Sequence, residues 1–248
     1  MGLAYMALRW EGIKEDQRAP APSGAVVADT SAANRALLIR VSAIVFLTTA
    51  VTSVIFQSTT FALPKIFDER LTGLAAQLSG WIESVAQPGQ SDVATMVGIM
   101  AFTVFAVASM AQLVVGKMLD RHGPRKVFMT VATIQIIFFF VMPGLTNGLA
   151  FAVALGFMLG AFGQIPINDF MIGKMASGAH RARIYGVRYV VSFTALATSL
   201  PLIAFVYDTW GFDTLFYILS ATALVVLTAA MCLPKTLPTP AAAPAAAA

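Results

Sequence analysis

Apolar residues fill long uninterrupted stretches of this chain, and charges fall in the gaps between them. Residues 93–115 carry no charge, and neither do residues 127–168. A helix crossing a ~30 Å hydrocarbon core needs roughly 20 mostly apolar residues. Six stretches meet this requirement: Val41–Leu63, Val93–Val115, Val127–Met142, Leu149–Asn168, Tyr189–Tyr207 and Thr214–Leu233. The third is the shortest, and only PGLTNG (Pro143–Gly148) separates it from the fourth, a turn set by Pro, Asn and Gly. Between the first two spans, residues 71–85 are mildly amphipathic and contain Trp81, which fits either a short interfacial helix or a plain loop. The pattern predicts an all-α integral membrane protein of six transmembrane helices.

Composition agrees. The chain is 58% hydrophobic and 11% charged, whereas a soluble domain carries about a quarter charged residues. That is too little polar surface to hold a globule of this size in water. The net charge of +4 raises nucleic acid as a partner, but the placement of the bases points to lipid instead. Of the 16 Lys and Arg, 14 fall before the first span, in the second-to-third and fourth-to-fifth loops, or in the tail. The alternate loops hold Lys65 and Arg70 with most of the acids. Bases stay on the cytoplasmic side of a membrane, so both termini are expected there, in a multi-pass protein of the cell (inner) membrane. Residues 1–35, with both charge signs and Pro, Ala and Ser, read as a flexible cytoplasmic segment. The bundle is expected over 36–234, followed by a low-complexity tail over 235–248. The single Cys232 cannot form an internal disulfide, and no metal-ligand spacing or cofactor motif appears.

The loop GKMLDRHGPRKVF, residues 116–128, combines bases with one acid. Bases alone would anchor it, so Asp120 asks for another reason. Gly116 permits close helix approach, and Gly123 permits a tight reversal. Asp120 can accept hydrogen bonds from arginines or from a helix N-terminus, or simply pair with Arg121 or Arg125. The pattern G-x-x-x-D-R-x-G-x-[RK]-[RK] is met by Gly116, Asp120, Arg121, Gly123, Arg125 and Lys126. It resembles the signature loop of the major facilitator superfamily of secondary transporters, and its place between the second and third spans also fits. Pro124 departs from the basic or small residue usual there. The resemblance implies that the loop works as a cytoplasmic latch during alternating access.

Members of that family are usually built of two six-helix halves, and this chain carries the spans of one. FALPKIFDERL, AQLVVGKMLDR, RARIYGVRYVVSF and YDTWGFDTLFYILSA resemble the C-terminal half, over roughly residues 36–235. The resemblance implies that Asp120 engages a helix of the other half. That half would come from another chain or a second copy, unless the chain is a truncated remnant.

In the first span Thr49, Ser53, Gln57 and Thr60 are four, four and three residues apart and share one helix face. Polar groups rarely face lipid, so the stripe faces a cavity or packs within the bundle. In the fourth span Gly156 and Gly160 make G-x-x-x-G, a close helix contact. Gln164 and Asn168 follow beside Pro166, a candidate hinge with polar lining. Asp169 is either an interfacial acid paired with Lys174 or Arg188, or half of a gating pair with Arg188. The first and fourth helices line the central cavity in the family, so Thr49, Ser53, Gln57, Thr60, Gln164 and Asn168 are the candidate lining. No acid or base lies mid-span, and any coupling charge would come from the absent half. These features predict a secondary transporter of a small solute. The rival reading is a non-transporting remnant or membrane assembly partner of the same fold. An intramembrane enzyme would need paired catalytic residues within the spans, and the spans have none.

Overall fold

The structure, a computed structural model, describes residues 28–85, 93–175 and 181–234. The expected tail and all but the end of the expected flexible segment lie outside these residues. Two compact units are distinguished, residues 1–37 and residues 38–248. The first is described only over 28–37, which is helical.

Among the described residues the chain forms six helices: α1 Ala28–Arg70, α2 Thr72–Val85, α3 Val93–His122, α4 Pro124–Val141, α5 Asn147–Met175 and α6 Arg181–Met231. The expected boundary at residue 35 falls inside α1. Residues 72–85 take the helical option, with Trp81 exposed. Five helices are long and apolar enough to cross a membrane. The last of these, α6, has 51 residues and at 1.5 Å per residue runs about 75 Å, more than twice the hydrocarbon thickness. It is broken at Gly211, where φ is 78° and ψ is 178°. That left-handed backbone is open to glycine at little cost. The segments 181–210 and 212–231 are therefore separate crossings, which restores the six spans.

Three prolines lie inside helices, Pro64, Pro166 and Pro201, and each helix continues through its proline. Sharp turns fall instead at glycines with positive φ. Gly123 (φ 78°) joins α3 to α4 in a single residue, with Pro124 following in the first turn of α4. Proline suits that position because its missing N–H has no intrahelical partner there.

The chain alternates between two ends. Arg70, the turn 142–146 and Asp213 meet at one; Arg125 and the carbonyl of Met231 meet at the other. The basic residues Lys117, Arg121, Arg125, Lys126, Lys174, Arg183 and Arg188 lie toward the second end, near helix termini of the α3–α4 junction, α5 and α6. Helix α5 has apolar residues around its whole circumference, as a helix packed among others does, with Gln164, Asn168 and Asp169 as polar exceptions toward one end. Phe157 from α5 stacks with Phe139 of α4 at 5.2 Å and Phe216 of α6 at 5.6 Å. Phe162, one turn on, meets Phe56 of α1 at 5.2 Å and Phe105 of α3 at 6.3 Å. Such packing matters more here than in water, because lipid is as apolar as leucine and supplies no hydrophobic drive.

The G-x-x-x-G of α5 is a close contact, as its spacing suggests. A Cβ added to Gly156 would lie 2.5 Å from the Phe138 ring, and one added to Gly160 would lie 2.5 Å from Cγ of Gln135. Gly116 differs from expectation. A Cβ there would meet nothing within 4 Å among the described residues. No described helix packs closely on α3 at this point.

Candidate functional site

A cavity of about 140 Å³ lies between α1, α5 and the first segment of α6. Helix α1 contributes Thr49, Thr52, Ser53, Phe56 and Gln57; α5 contributes Gln164 and Asn168; α6 contributes Arg188 and Ser192. Of the six expected lining residues, the structure brings together Thr49, Ser53, Gln57, Gln164 and Asn168. Thr60 does not reach the cavity; it lies further along the helix, and its hydroxyl is buried with no hydrogen-bond partner among the described residues. Thr60 stands on nearly the same face as Thr49 but about 16 Å along the axis, so position along the helix, not direction, takes it out of the cavity.

Each wall is held by polar contacts between helices. Asn168 Nδ2 donates to Thr52 Oγ1 at 2.9 Å. The Ser53 and Ser192 hydroxyls are 3.3 Å apart. Gln164 Nε2 donates to Oε1 of the wholly buried Gln135. This last contact explains Gly160. The Gln135 stem crosses α5 where a Cβ would stand, and its amide then reaches Gln164 one turn further along. A small residue in the helix contact thereby orients a cavity residue. Thr49 Oγ1, Gln164 Oε1 and Asn168 Oδ1 remain buried without a hydrogen-bond partner among the described residues. Such groups are costly to leave unpaired in an apolar medium, so a solute offering hydrogen bonds would gain from meeting them.

Arg188 is the one charged side chain among the lining residues. It is only 16% exposed and is ion-paired with Asp169. Lys174, the other expected partner of Asp169, instead lies over the Phe170 ring at 5.5 Å. Thr52 and Ser192 were absent from the candidates. Thr52 sits next to Ser53 and three residues after Thr49, and Ser192 is one turn beyond Arg188. Both spacings were present in the sequence, but only the packing of three helices shows which faces converge.

At the α3–α4 junction, Asp120 is exposed on the last turn of α3. No ion pair or hydrogen bond joins it to Arg121, Arg125 or any other described residue. Arg125 turns away and donates to the Met231 carbonyl at 2.8 Å, capping the C-terminus of α6. Within this chain the signature acid therefore has no described partner. The sequence profile of the Major Facilitator Superfamily matches residues 45–248. The chain belongs to the Major Facilitator Superfamily. A comparison with curated proteins returns no match. Membership makes it a multi-pass membrane protein of a family of secondary transporters rather than enzymes. In that family the solute pathway lies near the bilayer midplane between two halves, and the α1/α5/α6 cavity is a polar, concave feature among the described residues.

Proposed function

We propose that this chain forms one half, the C-terminal-type half, of a facilitator that moves a small polar solute by alternating access. The observation that carries this reading is the cavity. Five residues expected from sequence to line a solute path converge there, with unpaired buried acceptors and one arginine. Thr49, Ser53, Gln57, Gln164 and Asn168 contact the solute. The Asp169–Arg188 pair acts as a gate near one mouth: closed, it spans α5 and α6; open, it frees a guanidinium toward the cavity. Asp120, with Gly116, Arg121, Gly123, Arg125 and Lys126 shaping its loop, is the latch to the other half, which a second copy or another chain supplies. The exposed, partnerless state of Asp120 supports that role. The basic end faces the cytoplasm, by the bias of Lys and Arg.

Alternation can be read without knowing the solute. In a Cys232→Ala background, Gln57→Cys is exposed to a membrane-impermeant maleimide in right-side-out and inside-out vesicles. Labelling from both sides is expected, because alternating access opens the cavity to each in turn. Labelling from one side only supports the rival reading, a non-transporting assembly partner, and no labelling returns Gln57 to packing.

A further inference from the structure

Two surface cavities outside the solute path run into each other. The first, about 380 Å³, is a groove between α3 and α4 whose floor is Gly156, Leu159 and Gly160 of α5. Its walls, among them Val114, Met118, Ile134 and Phe138, are almost wholly apolar. The second, about 610 Å³, is lined by Lys117, Asp120, Arg121 and His122 together with the same Val114 and Met118. The groove spans residues 111–118 of α3, about 10 Å along the helix axis, and the charged pocket continues it toward the helix end. Lys117 and Arg121 are four residues apart, so they stand on one face, and both are exposed. Val114, shared by the two cavities, is 59% exposed.

We propose that this continuous surface is a binding site for an anionic phospholipid, with one acyl chain in the α3/α4 groove and the phosphate between Lys117 and Arg121. The apolar part lies within a membrane span, where the medium that reaches it is lipid. The basic part lies at the span's end, where headgroups lie, and basic pockets beside helices bind anionic headgroups. Asp120 subtracts one charge, so the pocket carries a net single positive charge and favours a singly anionic headgroup over a zwitterionic one. A lipid seated there would also rest beside the latch acid, and would fill a groove that otherwise leaves α3 and α4 apart.

The test compares phosphatidylglycerol with phosphatidylcholine of identical chains, by native mass spectrometry of the detergent-purified full chain. Wild type should retain phosphatidylglycerol about five-fold better, the worth of one net basic charge at a membrane surface. Lys117→Gln with Arg121→Gln leaves Asp120 as the net charge, so the preference should vanish or turn against phosphatidylglycerol. Lys126→Gln, outside the pocket, should keep the preference. Val114→Trp, which fills the groove, should lower retention of both lipids. If the double variant does not fold, each single change should show a partial loss. Equal retention by wild type, or a preference surviving the double change, overturns the proposal. So does full competition by water-soluble glycerol phosphate, which would mark a phosphate site without a chain.

Discussion

The two ends of the bundle use the same charged groups in opposite ways. At one end Arg70, 15% exposed, bonds Asp213 at 2.5 Å and donates to the Leu145 carbonyl at 3.2 Å. The Gly144 N–H also donates to Asp213, at 3.1 Å. Asn147 Oδ1 accepts from the Leu74 N–H at 3.1 Å, tying α2 to the start of α5. One arginine thus joins the end of α1, the α4–α5 turn and the second segment of α6. At the other end Asp120 has bases on either side and bonds none of them among the described residues, while Arg125 caps a carbonyl. The first end is tied within the chain; the second pairs Asp169 with Arg188 but leaves the Asp120 of its α3–α4 loop without a described partner. The difference teaches that charge near a membrane surface is not one kind of feature: a saturated network fixes a fold, and an unsaturated one is available to something that comes and goes.

This contrast can be broken at either end. The largest effect is expected from Asp120→Asn: labelling of a Cys at position 57 from the slower side should drop about ten-fold or more, in the range of typical coupling energies, with the thermal midpoint unchanged. Unaltered two-sided labelling would remove the latch. Gly160→Ala pushes a Cβ into the Gln135 stem. Overpacking of this kind costs about 1–3 kcal/mol, so the midpoint should fall by several degrees, and pairing the change with Gln135→Ala should recover part of the loss. Arg70→Ala strips two bonds from a partly exposed network, at about 1–2 kcal/mol. Its midpoint should fall while two-sided labelling of the folded fraction persists, the reverse of the Asp120 result. Arg125→Gln is the mildest change. It removes one cap of a helix end, about 0.5–1.5 kcal/mol, and separates the loop's structural arginine from its acid. If Arg125→Gln blocks alternation as strongly as Asp120→Asn, the loop works as one unit and the division drawn here between cap and latch fails.

The spans, their number and the turns between them were legible from the sequence. Lipid offers no hydrogen bonds, so a crossing must be a long apolar helix, and that requirement is written in consecutive residues. The break at Gly211 is a case in point: the apolar stretches on either side of it already read as separate crossings. The turn at Gly123 and the close contact at Gly156 and Gly160 were likewise local signals. The α1/α5/α6 cavity was legible in part, because a polar stripe on one helix, such as Thr49, Ser53 and Gln57, states which face avoids lipid. Membership of the facilitator superfamily rested on the loop motif and is carried by the profile match.

What only the tertiary structure decided is which faces meet. Thr60 continues the stripe in sequence but lies too far along α1 to reach the cavity, while Thr52 and Ser192 join it because α1, α5 and α6 converge on them. Asp169 chose Arg188 over Lys174, and Asp120 chose neither of its neighbouring arginines. Periodicity along one helix gives each side chain a direction; the partner in that direction comes from residues far away in the chain, and only packing brings them there.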